Sequence, residues 1–142
     1  MAEKLATLRK CGGGMTETVL WTNPSTSSDF AYQEVNLSQD IDNFDYLKFE
    51  YQNSTATITK SSVLISVSEF KQTSVSVPQK ACFHLGWAGG TATSISLMWR
   101  PVGYVNDTKV IIGTCILTSM TSLGNQIYNL ACIPTKIYGV KK

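Results

Sequence analysis

The sequence predicts an all-β protein, a two-sheet antiparallel jelly-roll-like sandwich with a short N-terminal arm. Three observations carry that expectation. First, Tyr46 to Gln52 (YLKFEYQ) alternates strictly, with Leu47, Phe49 and Tyr51 on one side and Tyr46, Lys48, Glu50 and Gln52 on the other. Successive strand residues point to opposite faces, so this segment sets one side on a core and one in water. Second, weaker versions of the pattern recur about eight or nine times, separated by turn residues. Third, helical spacing of apolar residues is confined to Met1–Lys10.

Met1–Lys10 (MAEKLATLRK) places Ala2, Leu5 and Leu8 on one narrow stripe. Ten residues make a marginal helix in water without a packing partner, and Gly12-Gly13-Gly14 then forms a hinge. Residues 1–14 are therefore expected to be an anchoring arm, with Leu5, Leu8 and Arg9 as its assembly residues, and residues 15–142 the sandwich domain.

Within the domain, Glu17–Thr22 reads as the first strand, Asn23–Asp29 as a loop and Phe30–Leu37 as the second strand. Asp40–Asp45 is an acidic turn leading into the Tyr46–Gln52 strand, and Asn53–Lys60 a hairpin connection or an exposed edge. Ser62–Val67 (SVLISV) predicts a buried strand, followed by a polar excursion to Pro78. Lys80–Trp87 is expected to bury Phe83, Leu85 and Trp87, and Thr93–Trp99 to bury Ile95, Leu97 and Trp99. Pro101 and Gly103 punctuate the chain there. Lys109–Leu117 is apolar on both faces and predicts a central strand, while Pro134 divides two closing strands, Ile127–Ile133 and Lys136–Val140.

Charged residues make up 15% of the chain, below the roughly 25% of ordinary soluble domains, so Ser, Thr and Asn must cover the solvent faces. A net charge of +2 with scattered basic residues gives no nucleic-acid footprint. No apolar run approaches the ~20 residues that span a membrane. With no secretory signal visible, synthesis in a cytosol is expected. The four cysteines include no CxxC and no zinc spacing. Cys82, Cys115 and Cys132 lie in apolar strands and read as buried thiols, and Cys11, beside the glycines, as an accessible one.

No pattern of catalysis emerges, and an enzyme is not expected. His84 is the only histidine, with no nucleophile or carboxylate that spacing can place beside it. Asp40, Asp42, Asn43 and Asp45 resemble part of a calcium loop, yet the glycine and the closing glutamate are missing, so a self-bonded turn is the better reading. No phosphate loop or dinucleotide fingerprint is present, and neither cofactor nor metal is expected. Trp87 and Trp99 fall in phase with core residues, which leaves Phe44 and Tyr104, in loops, as the candidate surface contacts.

Three phrases carry a family resemblance: Glu17–Gln52 (ETVLWTNPSTSSDFAYQEVNLSQDIDNFDYLKFEYQ), Ser62–Lys71 (SVLISVSEFK) and Ile133–Lys142 (IPTKIYGVKK). Together they resemble a module of tail-fibre, baseplate and other structural proteins of bacteriophages and prophages of Gram-positive gut bacteria. The resemblance spans most of Met15–Lys142. It implies a β-sandwich of the kind found at trimeric fibre tips and in host-surface attachment, and it brings no catalytic residue. A short arm in place of a long fibre shaft suits a capsid decoration or head-fibre protein as well as a receptor-binding tip. The expected location is then the virion, after synthesis in the host bacterial cytoplasm. The expected partners are other phage structural proteins through the arm, further copies of the chain (a trimer first), and a host cell-surface glycan. The alternative is a carbohydrate-binding sandwich without a virion role.

Overall fold

The computed structural model describes residues 14–55, 59–75, 83–91, 94–119 and 125–142. Their strands are β1 (Thr16–Thr22), β2 (Gln33–Asn36), β3 (Tyr46–Ser54), β4 (Lys60–Ser66), β5 (Phe83–Thr91), β6 (Ser94–Asn106), β7 (Lys109–Ile112), β8 (Ile116–Ser119), β9 (Asn125–Ile127) and β10 (Ala131–Lys141). One short helix, α1 (Val67–Phe70), follows β4, and a 3-10 turn at Ile41–Asn43 precedes β3.

All pairings are antiparallel, and they build two sheets. The first runs β1-β10-β3-β4, with the first strand beside the last and the last beside the third. In the second, the long β6 carries β5 along one edge and β7 followed by β8 along the other. β2 then flanks β7, and β9 flanks β8. Leu47, Phe49 and Tyr51 point inward from β3, at 0%, 1% and 5% exposure, as the alternation predicts. Val35, Leu85, Val102, Val110 and Ile112 meet them from the second sheet. The Tyr51 hydroxyl crosses the interior to donate to the Gly86 carbonyl on β5 at 2.6 Å.

Several elements depart from expectation for identifiable reasons. β4 is not a buried strand. Among the described residues it pairs only with β3, and Leu64 is 50% exposed while Val63 and Ile65 pack inward. Pro134 does not break β10. The strand bulges between Pro134 and Lys136, which suits a residue with no N–H to give. Asn23 captures the freed backbone, donating through Nδ2 to the Pro134 carbonyl and through N–H to the Thr135 carbonyl, both at 2.8 Å.

Pro101 and Gly103 do not end β6 either. The Pro101 carbonyl accepts from Gly113 N–H at 2.8 Å, and the segment Ser74–Val75 crosses so close to Gly103 that a Cβ there would lie 2.9 Å from the Val75 nitrogen. The Lys109–Leu117 stretch is instead divided into β7 and β8, with the break at residues 113–115.

The excursion after β4 holds α1. Ser66 caps it by accepting from Glu69 N–H at 3.3 Å, and Phe70 fills the core against Phe49 and Tyr104.

The largest departure is the phase of β6. Met98, Arg100 and Val102 point inward, and Leu97 and Trp99 outward, the reverse of the expectation. Arg100 is wholly buried. Its Nε donates to the Cys132 carbonyl (2.9 Å), its Nη1 to Phe30 (2.8 Å) and Gly113 (2.7 Å), and its Nη2 to Asn129 (3.3 Å) and Ala131 (3.0 Å). A guanidinium offers a planar fork of five donors, and here the fork is answered entirely by backbone carbonyls.

Candidate functional site

Because Arg100 faces in, the outer surface of the second sheet is apolar. The strand registers align Gly86, Trp99, Ile116 and Ile127 in one row across β5, β6, β8 and β9. The next row begins Ala88, Leu97 and Thr118. Ile127 is 71% exposed and Leu97 46%, on a face that needs no apolar residue for folding. A shallow open depression of about 630 Å³ lies here, lined by His84, Gly86, Trp87, Ala88, Leu97, Met98 and Trp99.

Gly86 shapes this depression. It stands opposite Trp99 on the neighbouring strand, and with no side chain it leaves the indole uncovered. The His84 ring meets Trp99 edge-on at 5.1 Å between centroids and 72° between planes. Burial among these groups lowers the His84 pKa from its ordinary 6.5, so the ring is neutral near pH 7. No carboxylate lines the depression among the described residues. Its chemistry is that of contact with apolar surface, with one imidazole at the rim.

Trp87 and Trp99, expected in the core, are thus corrected: Trp87 is 37% exposed and Trp99 only half-buried on the outward face. Phe44 and Tyr104, expected as surface contacts, are half-buried against the core. The Phe44 ring covers Gly139 so closely that a Cβ there would lie 2.5 Å from it. Tyr104 packs edge-on against Phe70, and its hydroxyl donates to Asp107 at 2.6 Å. Leu5, Leu8 and Arg9 lie outside the described residues, as do Cys11 and Cys82.

The acidic turn is a self-bonded one. Asp40 accepts from Asp42 N–H at 2.8 Å and caps the 3-10 turn. Folding adds Asp107, which the sequence could not place there, and the carboxylate oxygens of Asp40, Asp42 and Asp107 come within 4.8 Å of one another. The Lys71 ammonium pairs with Asp42 and lies 3.2 Å from Asp107. Bonding to Asp42, ahead of the contribution from Asp107, pushes its pKa up. A lysine therefore supplies the positive charge that this cluster would otherwise ask of a metal ion.

No protein-family model matches the chain, and no curated protein does.

Proposed function

We propose that this chain is a non-catalytic binding protein of a bacteriophage particle, displayed on the virion surface and held there by apolar contact. The observation that carries the reading is the outward row Trp99–Ile116–Ile127 with Leu97 beside it. A sheet face turned to water ordinarily carries polar residues, and contiguous exposed apolar surface marks a place where something docks. The phage part of the proposal rests on the resemblance of Glu17–Gln52, Ser62–Lys71 and Ile133–Lys142. In this reading the arm of residues 1–14 and the apolar face are two separate anchors, one of which engages the capsid or tail. A sugar-binding role is less well supported. Sugars stack on indoles, as Trp99 would allow, yet their hydroxyls need hydrogen-bonding partners, and the lining is mostly carbon.

Immunogold labelling of purified particles tests the proposal. Label at a regular position on capsid or tail is expected, and its loss from particles carrying Leu97→Ser with Ile127→Ser, or Leu5→Asp with Leu8→Asp, identifies the anchor. Particles that carry no label with the unaltered chain overturn the reading.

A further inference from the structure

A second cleft, of about 400 Å³, opens where β1, at the edge of the first sheet, comes beside β2, at the edge of the second. Its volume falls within the roughly 300–1,000 Å³ of small-ligand sites. Trp21 of β1, the loop after it and Gln33–Asn36 of β2 form the walls. The carbon lining that argues against a sugar at the Trp99 depression is absent here. Carboxylates, amides and hydroxyls surround a single indole.

The fold holds this cleft in shape. β1 shifts register between Val19 and Trp21, and such a bulge re-aims the side chains around it. The indole packs against the core and meets the buried Phe30 ring nearly at right angles, with centroids 6.0 Å apart. The loop between β1 and β2 is pinned at three points. Asn23 bonds to the β10 bulge and also accepts from Ser25 N–H through Oδ1 at 3.0 Å. Gln52, buried on β3, donates to the Thr26 carbonyl at 2.7 Å. Phe30 N–H donates to the Asn129 carbonyl at 3.0 Å, and the Phe30 carbonyl accepts from Arg100. Ser38 N–H, just past β2, donates to the Leu20 carbonyl at 2.9 Å and closes the end of the cleft. A loop fixed in this way presents its side chains without an ordering cost at binding.

Several polar groups on the walls are left with capacity to spare. Among the described residues, no hydrogen bond or ion pair holds the side chains of Asp29 and Asn36. Gln33 donates through Nε2 to the Ala31 carbonyl at 3.2 Å, which leaves its Oε1 as an acceptor. Glu34 is already answered by Lys109 at 3.4 Å. No lysine or arginine lines the cleft among the described residues, so an anionic ligand has no counter-charge there.

We propose that the cleft between β1 and β2 binds a neutral glycan, with one pyranose ring against Trp21 and its hydroxyls on Asp29, Gln33 and Asn36. The C–H bonds of a pyranose carry a slight positive charge, which suits the negative face of an indole. Sugar hydroxyls both donate and accept. The Asp29 carboxylate and Gln33 Oε1 take their protons, and the Asn36 amide serves either role. This binding does not rest on the chain's place on a particle.

An array of neutral and acidic oligosaccharides tests the assignment. Full-length protein is tagged at Lys142, whose neighbour Lys141 pairs with Thr16 at the far end of β1 from Trp21. It is multimerised on an antibody to the tag, so that weak single-site contacts are read. Signal on a subset of the neutral sugars is expected. Trp21→Ala should lower it about tenfold or more, as for a central aromatic contact. Because Trp21 also packs on Phe30, Asp29→Ala with Asn36→Ala repeats the test without touching an internal contact, and should lower the signal about tenfold. Three results overturn the proposal: no signal on any neutral sugar, signal confined to acidic sugars, or signal that survives the Asp29 and Asn36 changes in protein that still melts cooperatively.

Discussion

The two outward faces of the sandwich are built for different neighbours. On the first sheet, every prominent polar group is answered by another. Lys48 pairs with Glu17 at 2.6 Å and lies 4.4 Å over the Tyr138 ring. Glu50 accepts from Thr135 at 2.7 Å and lies 3.6 Å from Lys60, while Lys142 stands over Tyr46 at 5.5 Å. Among these pairs, Val19 and Leu64 stand exposed, at 44% and 50%, on the two edge strands. On the second sheet the equivalent positions hold Trp99, Ile116, Ile127 and Leu97, with His84 at the edge. The difference is informative because the fold requires only the inner faces to be apolar. Adjoining rows of apolar residues on the outer side of the second sheet, against single ones on the edge strands of the first, therefore report a demand other than folding.

The severest way to break the comparison is Arg100→Met. The phase of β6 follows from this side chain, which satisfies the carbonyls of Phe30, Gly113, Asn129, Ala131 and Cys132 at once. Methionine fills part of the volume and leaves those acceptors without a donor in the interior. A loss of about 4–5 kcal/mol or more is expected in urea unfolding, since each buried orphan costs roughly 1–3 kcal/mol before relaxation. Retention of wild-type stability would mean that packing alone fixes the phase.

Next in size is the effect that separates binding from folding. Leu97→Ser with Ile127→Ser removes exposed apolar surface, so each change should alter stability by no more than about 0.5 kcal/mol. Binding of a hydrophobic dye to the folded protein should fall several-fold, together with particle incorporation. A large loss of stability with undiminished dye binding would show that these residues serve the core after all. The matching probe of the other face is Glu17→Gln. It should cost only about 0–1 kcal/mol, an effect that shrinks as salt rises, because an exposed pair is weak and screened. Unfolding curves at low and high salt measure it.

What was legible in the sequence follows from the same physics. Strand period and turn residues announced two antiparallel sheets, and Tyr46–Gln52 buries the residues its alternation selects. The phase of β6 was hidden for two reasons. Ending the strand at Pro101 left a window in which Ile95, Leu97 and Trp99 outweigh Met98, and the Arg100 charge argued for the outside. Nothing local shows that carbonyls from β10 and three separate loops converge on one guanidinium. The Asp107 contribution to the acidic cluster was hidden in the same way, because it arrives through tertiary structure. The glycine opposite Trp99 was the available clue to the depression, since a strand glycine often marks a place of close approach.

The smallest expected effect tests the second sheet's face through pH. The His84 pKa is lowered by burial, so the folded state binds this proton less readily than the unfolded chain. Stability from this group is complete above the ordinary value of 6.5 and falls as pH drops from there toward the folded value. His84→Gln should flatten that part of the melting-temperature profile. Particle association should respond in the same direction and more strongly. A partner covering the depression would bury His84 further, favour the neutral ring still more, and so bind less tightly once the ring is protonated. Weaker association at about pH 5.5 than at about pH 7.5, abolished as a difference by His84→Gln, is the expected outcome. If association is as strong in acid while the stability profile still bends, the partner sits elsewhere than on the second sheet, and the arm becomes the anchor to pursue.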